Sequence, residues 1–229
     1  MKMKEKIKQF YQSHKYIWVA IIYFLCYLPW YFGIQQRDPS HFFDMHVVLD
    51  GMIPFVPAFI DVYMYWFLFV FGTGLFVFLY DKEEFYKFCL MLFGGMTICL
   101  IIFTIFPTTF DYRPAHITGT PVEKFFLNLV YSADKPTNVF PSIHVYNSLG
   151  CAIILTHSKK FKGSKKMFFF AWISAIMITL STMFVKQHSC MDAFAAMIIC
   201  FIMYQVTYGP FETWRQKVNA KENAVYQNN

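Results

Sequence analysis

Long apolar blocks alternate with short charged clusters along this chain, and this alternation limits the available folds more than any other feature. Most of the blocks approach the 20 or so apolar residues that a helix needs to cross the hydrocarbon core of a bilayer. Only 15% of the residues are charged, against about 25% in a soluble globular domain. The sequence therefore predicts an all-α, polytopic membrane protein.

The apolar blocks predict six transmembrane helices in one compact bundle. The predicted spans are 16–34, 62–80, 88–107, 140–156, 167–185 and 189–208. The fourth block is short, and it gains length only from Val139 and the polar residues at its end.

The positions of lysine and arginine predict how the bundle is oriented, because cytoplasmic loops carry an excess of both. Most of the 20 such residues lie in segments that six spans place on one side, namely 1–15, 81–87, 157–166 and the chain after residue 208. The cations predicted for the opposite side are Arg37, Arg113, Lys124, Lys135 and Lys186. Both termini are therefore predicted to be cytoplasmic.

This topology divides the chain into three parts and two long outer loops. We expect a basic cytoplasmic tail at 1–15, a six-helix membrane domain at 16–208 and a second cytoplasmic tail at 209–229. The outer loops are 35–61, in which we expect a short amphipathic or re-entrant piece, and 108–139. Long loops in compact proteins are often functional.

Other partners and cofactors are not indicated. The net charge of +6 does not favour nucleic acid, because the basic residues lie at the ends of spans. The six cysteines lie mostly within apolar blocks and form no Cys-x-x-Cys pair, so they indicate neither a zinc site nor disulfides. A site from His41, Asp44 and His46 lacks a recognised ligand spacing. We expect no cofactor and no metal, and the sequence does not indicate an oligomeric state.

Three polar clusters fall together on the outer side of the predicted topology. They are Tyr112-Arg113-Pro114, Pro141-Ser142-Ile143-His144, and Lys186-Gln187-His188 with Asp192 shortly after. Histidines are costly near a bilayer, so two on one face suggest chemistry there. We therefore expect a phosphoryl-transfer site on the outer side.

The chemistry of these residue types supports that expectation. If the last helix starts near His188, Asp192 shares its face, and a carboxylate can hold Nδ1–H while Nε2 keeps its lone pair. Ser142 follows a proline at a helix start, where free backbone N–H groups bind phosphate. Arg113 and Lys186 add cationic donors for phosphate oxygens.

Each residue also has a simpler explanation. His144 and His188 could be solvated interfacial side chains, and Asp192 and Ser142 could serve only as helix caps. Lys186 could extend to the lipid head groups. These explanations do not account for the gathering of all the residues on the lysine-poor side.

At these residues the chain resembles the type 2 phosphatidic acid phosphatase superfamily. Its signature is Lys-x6-Arg-Pro, then Pro-Ser-Gly-His, then Ser-Arg-x5-His-x3-Asp. The matching residues are Arg113-Pro114, Pro141-Ser142-Ile143-His144, and Ser181-Thr182 with His188 and Asp192. The resemblance covers roughly residues 60–208.

The resemblance implies catalytic and phosphate-binding roles for these residues. His188 attacks phosphorus and forms a phosphohistidine, Asp192 orients it, and His144 protonates the leaving oxygen. Arg113 and Ser142 match phosphate-binding positions. The family needs no metal.

Three departures bear on the activity. Phe106 stands where the family has lysine, Thr182 where it has arginine, and Ile143 where it has glycine. Lys186 is close enough in sequence to replace one missing cation. The altered motifs resemble the branch of inositol phosphorylceramide synthases and related lipid phosphotransferases.

Three functions follow as expectations. The leading one is a lipid phosphatase in a bacterial cell membrane, with an extracytoplasmic site, acting on phosphatidic acid, phosphatidylglycerophosphate or a polyprenyl pyrophosphate. The second is a lipid head-group phosphotransferase on the same scaffold. The third is an inactive transporter or scaffold. In the first two, the partners are a lipid phosphate and the bilayer.

Overall fold

The computed structural model describes residues 2–37, 41–210 and 213, and these residues are predominantly helical. The helices are α1 (Lys2–Ser13), α2 (Ile17–Gln36), α3 (Val48–Met52), α4 (Phe59–Tyr80), α5 (Lys82–Ile105), α6 (Pro121–Ala133), α7 (Ile143–His157), α8 (Lys165–Phe184) and α9 (Cys190–Tyr208). Two short strands, β1 (Phe43–Asp44) and β2 (Thr108–Thr109), pair in parallel. A short 3-10 helix at Lys159–Phe161 precedes α8.

Five of the described helices are long and apolar enough to cross a membrane, namely α2, α4, α5, α8 and α9. They coincide with five of the six predicted spans. The predicted span 140–156 is instead α7, which begins at Ile143 and has 15 residues. At about 1.5 Å per residue it is about 22 Å long, shorter than the hydrocarbon core of about 30 Å.

Helix α7 forms the centre of the bundle and packs against α4, α5, α8 and α9. Its small residues allow close approach, and most of its side chains are buried. The ring of Tyr146 lies so close to Gly95 that a Cβ there would clash with it, and its hydroxyl donates to the carbonyl of Met91. A helix enclosed in this way buries its backbone among other helices rather than in lipid.

Helix α2 packs along α5 and leaves much of its apolar surface exposed. The ring of Tyr23 stacks on Phe93 at 4.1 Å between centroids. At the other end, Arg37 donates to the carbonyl oxygens of Phe103 and Thr104 near the end of α5. Exposed apolar side chains on a long helix are what a lipid-facing span requires.

Two predicted loops contain more helix than the sequence analysis assigned. The predicted loop 81–87 is wrong, because α5 begins at Lys82, where Asp81 accepts hydrogen bonds from the N–H groups of Glu83 and Glu84. The outer loop 108–139 contains α6, which Thr120 and Glu123 start with a capping box.

The remaining parts of the predicted topology are the loop 35–61 and the two tails. In 35–61, α3 stands where a short amphipathic or re-entrant piece was expected. The predicted N-terminal tail contains α1. Of the predicted C-terminal tail, the cations Arg215, Lys217 and Lys221 lie outside the described residues. The cytoplasmic location of both termini stays a prediction.

Candidate active site

The structure brings both histidines of the sequence motifs together in one chain of hydrogen bonds. His144 Nδ1 lies 3.3 Å from His188 Nε2. On the far side, His188 Nδ1 lies 3.2 Å from Asp192 Oδ2. At the other end, His144 Nε2 lies 2.8 Å from the hydroxyl of Tyr63 on α4. Three segments distant in sequence therefore meet at the imidazole pair.

If both imidazoles are neutral and Asp192 is ionised, their hydrogen-bond partners allow one consistent set of protons. An ionised carboxylate only accepts, so His188 carries its proton on Nδ1 and keeps a lone pair on Nε2. His144 Nδ1–H then donates to that lone pair, and Tyr63 donates to His144 Nε2. This arrangement leaves His188 Nε2 unprotonated, with its lone pair directed at His144.

His188 and Asp192 meet through a helix cap rather than by stacking on one helical face. The sequence analysis placed the helix start near His188, but Ser189 is the N-cap and α9 begins at Cys190. Asp192 accepts from the backbone N–H of Ser189 in a capping box, and the same oxygen contacts His188. The cap thus holds the carboxylate beside the imidazole.

Ser142 is the N-cap of α7, as the sequence predicted. Its hydroxyl oxygen accepts from the N–H of Val145, and its own N–H donates to the carbonyl of Asp192. Within the part of the chain that the structure describes, the N–H groups of Ile143 and His144 have no acceptor. The start of α7 therefore offers free donors beside the histidines, a common anion site.

Arg113 lies against Gln187, the residue before His188. Its guanidinium donates to Gln187 Oε1 at 2.7 Å, and to the carbonyl oxygens of Tyr131 and Asp134. The same group lies over the ring of Tyr131. Burial lowers the pKa of Arg113, and the nearby Asp134 opposes that shift. The Nε atom of Arg113 and Nε2 of Gln187 are buried without acceptors among the described residues.

Lys186 is buried, but it is bound to the outer segment rather than to the histidines. Its ammonium donates to the carbonyl oxygens of Asp50 and Ile53, at 2.9 and 2.5 Å. Burial lowers the pKa of Lys186, and the neighbouring Asp50 opposes the shift. Any role for Lys186 in binding phosphate would need these contacts to be exchanged.

Asp50 connects the same segment to the start of α9. Its carboxylate accepts from the hydroxyl of Ser189 at 2.7 Å and from the N–H groups of Cys190 and Val47 at 2.8 and 2.9 Å. Burial alone would raise the pKa of Asp50, but these hydrogen bonds outweigh it and lower the pKa. We call the contacts of Asp50 and Lys186 the outer clamp.

Packed side chains fill the positions where the family signature has its other two cations. The ring of Phe106 stacks on Phe43 at 4.4 Å between centroids. Thr182 is fully buried, and its hydroxyl donates to the carbonyl of Thr179. Its own carbonyl accepts from the N–H groups of Gln187 and His188. Thr182 thereby shapes the turn that carries His188.

An apolar cavity of about 520 Å³ lies beside the histidines. Helices α2, α4 and α6 supply most of its walls, and His144 and Asp134 line its polar end. A recess of about 30 Å³, lined by His144, His188 and Asn138 among others, shares Tyr31, Asp134 and Ile143 with the cavity. The recess exceeds the 10–15 Å³ or so that one water needs.

A family model described as the PAP2 superfamily matches residues 88–215. The chain belongs to the PAP2 superfamily. The match covers more than half of the chain and includes both histidine motifs, so it confirms the resemblance seen in the sequence. No curated protein and no solved structure gives a significant match.

Membership in the PAP2 superfamily establishes the general kind of protein. Its members are phosphatases or related phosphotransferases that act on phosphate esters. Together with the long apolar helices, the family identifies an integral membrane protein. Among the described residues, no group of His, Cys, Asp or Glu is arranged to hold a metal ion.

Several residues at the site were not singled out in the sequence. Tyr63 on α4, Asp134 after α6 and Asp50 in α3 reach the site from outside the three motifs. Gln187 was noted only as part of a motif. An acidic residue in a long outer loop was a weak signal for Asp134, whereas Tyr63 is one of 15 tyrosines and carries no distinguishing pattern.

Proposed function

We propose that this chain is a membrane lipid phosphatase that hydrolyses a phosphate or pyrophosphate monoester of a lipid through a phosphohistidine. Candidate substrates are phosphatidic acid, phosphatidylglycerophosphate and a polyprenyl pyrophosphate. The observation that carries the proposal is the hydrogen-bonded chain from Tyr63 through both histidines to Asp192, next to an apolar cavity.

In the first step, His188 Nε2 attacks phosphorus while the bond to the lipid oxygen breaks. The leaving oxygen takes the electron pair of that bond and a proton from Nδ1 of His144, which enters this step as an imidazolium protonated on both nitrogens and leaves it as a neutral imidazole. Asp192 stabilises the positive charge that develops on the His188 ring. His144 Nδ1 and His188 Nε2 are 3.3 Å apart, so the phosphoryl group must separate these two nitrogens as it binds.

Donors near the recess stabilise the phosphoryl oxygens. The free N–H groups at the start of α7 act through position and through the helix dipole. Arg113 supplies positive charge, with its buried Nε still free to donate. Ser142 supports this set by holding the start of α7.

In the second step, a water in the recess attacks the phosphohistidine. The water oxygen bonds to phosphorus, the N–P bond breaks, and His188 Nε2 recovers its electron pair. His144 Nδ1, unprotonated after the first step, takes the proton of the water. Inorganic phosphate leaves, and both rings return to their starting protonation.

The apolar cavity supports a lipid as the substrate. A volume of about 520 Å³ is within the range of about 300–1,000 Å³ typical of small-molecule sites. Its walls are aromatic and aliphatic, so they favour a hydrocarbon chain. With both termini in the cytoplasm, the site would face the outside of a bacterial cell membrane.

Removal of the nucleophile tests this function. His188→Ala should lower phosphate release from dioctanoyl phosphatidic acid by about 10³-fold or more, because the covalent route is lost. The same variant should fail to retain ³²P from labelled substrate after an acid-free quench. His46→Ala, an exposed histidine of the outer segment, is the matched control. Normal turnover by His188→Ala would exclude the mechanism, and an inactive wild type would favour a scaffold or transporter.

A lipid phosphotransferase is the second candidate, and the balance of charge at the site favours it. Arg113 and Lys186 are the cations of the outer motifs, while Asp134 and Asp192 are carboxylates nearby. Such a site suits a phosphodiester with one negative charge better than a dianionic monoester. Product formation only when a lipid alcohol is added would establish transfer, whereas phosphate release in water alone would establish hydrolysis.

A further inference from the structure

Asp134 is the carboxylate that the proposed chemistry leaves without a role. It follows α6, and its side chain lines both the apolar cavity and the recess that holds His144 and His188. Among the described residues, its side-chain partner is the hydroxyl of Tyr31, 3.4 Å from Oδ1, which is long for a hydrogen bond between two oxygens. Arg113 contacts only the backbone carbonyl of Asp134.

A carboxylate in this position is costly without a ligand. Within the described part of the chain, no lysine, arginine or histidine forms an ion pair with Asp134. Burial raises its pKa, and the nearby His188 and Arg113 offset only part of that rise. Poorly satisfied ionisable groups in clefts are typical of functional sites.

Asp134 also stands at a defined point along the path of a bound lipid. The cavity and the recess share Tyr31, Asp134, Ile143 and His144. A lipid with its chain in the cavity and its phosphorus at His188 would place its ester oxygen near the residues shared by the two spaces, which include His144 and Asp134. That oxygen is the atom that His144 protonates in the proposed mechanism.

We propose that Asp134 binds the hydroxyl group of the lipid alcohol on the leaving-group side of the scissile bond. This inference rests on the proposed function. The alcohol O–H donates to the carboxylate while its hydrocarbon chain occupies the apolar cavity. Because a carboxylate repels phosphate oxygens, Asp134 favours the released alcohol over the phosphate ester. The same contact would hold an incoming alcohol if the phosphohistidine transferred its group to a lipid.

Inhibition by two ligands, of which only one can donate a hydrogen bond, tests the proposed contact between the alcohol and Asp134. Dodecanol and dodecyl methyl ether have the same alkyl chain, but only the alcohol can donate a hydrogen bond. Asp134→Asn should raise the inhibition constant of dodecanol about tenfold, since hydrogen bonds to charged acceptors are about twice as strong as neutral ones. The inhibition constant of the ether should not change, and that of orthovanadate, which mimics the phosphoryl group, should not rise, because the lost carboxylate only repels its oxygens.

Asp111 is exposed and lies in the same segment as Asp134, residues 108–139, so it provides the control for loss of one negative charge. Asp111→Asn should leave all three inhibition constants unchanged. Asp134→Ala should weaken dodecanol more than Asp134→Asn does. Equal effects of Asp134→Asn on dodecanol and on the ether would overturn the proposal, and so would no effect on either.

A measurement of binding separates this inference from the proposed function. Dodecanol, but not the ether, should protect the detergent-purified full chain against thermal unfolding. This protection should be lost in Asp134→Asn. Absence of any phosphate release by the wild type would refute the phosphatase. Absence of selective protection in an active wild type would refute the alcohol site alone.

Discussion

Tyr63 holds one nitrogen of His144 and thereby decides which nitrogen can donate a proton. With the hydroxyl on Nε2 at 2.8 Å, the imidazole presents Nδ1–H toward His188. The rings of Tyr63 and Trp66 also pack on this imidazole. Orientation of a general acid in this way avoids the cost of reorganising it during the reaction.

Removal of this hydroxyl should affect turnover rather than substrate binding. Tyr63→Phe keeps the ring but leaves His144 Nε2 without its donor, so kcat should fall by about three- to tenfold, the equivalent of one neutral hydrogen bond. KM should stay nearly constant. Tyr65→Phe is the control, because that hydroxyl contacts Ser174 instead. A rise in KM with unchanged kcat would contradict the positioning role.

The site residues predicted from the sequence are those whose spacing along the chain was informative by itself. His188 and Asp192 are four apart and His144 follows a proline and a serine, so local chemistry was enough to select them. Tyr63 and Asp134 approach the same point only through the packing of α4 and α6. Their contribution depends on distances between elements, and a single sequence does not contain those distances.

The outer clamp connects an element far along the chain to the segment that carries the nucleophile. Asp50 accepts three hydrogen bonds, two of them from the start of α9. Lys186 holds the end of α3 through two carbonyl oxygens. The position of His188 thus depends on a segment that lies more than 130 residues earlier.

Asp50→Asn should loosen this clamp. Its amide can accept at one oxygen only, so the loss should be about 1–3 kcal/mol of stability, the cost of leaving a buried donor unsatisfied. Thermal unfolding and limited proteolysis of the segment 41–58 would detect it. Asp44→Asn, in the same segment but exposed, should have little effect. An unchanged melting temperature for Asp50→Asn would argue against the clamp.

The clamp should also respond to acid. The folded-state pKa of Asp50 is lowered, so its contribution is complete above the ordinary aspartate pKa of about 3.9. It is lost as the pH falls below that value and through the folded-state pKa. Lys186 and Cys190, which face the carboxylate, do not titrate in that range. In Asp50→Asn, this part of the acid sensitivity should be absent.

The helices differed in how readily they could be predicted. The five long spans follow from length and hydropathy, which one sequence displays directly. Helix α6 was missed although Thr120, Pro121 and Glu123 form a recognisable helix start, because the segment was read as a loop between spans. The start of α5 was missed for a similar reason, since charged residues in its first turns resembled a loop.

The orientation of the whole molecule rests on the distribution of lysine and arginine. Single cysteines in a cysteine-free background test it, at the exposed positions 111 and 162. A membrane-impermeant maleimide added to intact cells should label Asp111→Cys, and it should label Lys162→Cys only after lysis. The reverse pattern would invert the topology and move the site to the cytoplasm. Labelling of both cysteines from the same side would mean that the chain crosses the membrane an even number of times between them, contrary to the predicted topology.

At the scale of the molecule, the sequence predicted a helical membrane bundle but not its centre. Low charge and long apolar blocks identify lipid as the surroundings. They do not reveal that α7 is enclosed by its neighbours, because Ile153, Ile154 and Leu155 look as apolar as a lipid-facing stretch. Helix α7 differs from such a stretch in small residues such as Gly150 and Ala152, which allow other helices to pack closely against it.

The residues that line the apolar cavity and the residues proposed to react come largely from different parts of the chain. The reacting groups lie within residues 88–215, the part that the family model matches. Much of the cavity comes from α2 and α4, which precede that part. If the cavity holds the lipid chain, as proposed, substrate preference and reaction chemistry depend largely on separate stretches of the chain. Exchange of residues 17–80 between relatives, with Asp50 and Tyr63 kept, should therefore change the preferred lipid and leave the reaction chemistry unchanged.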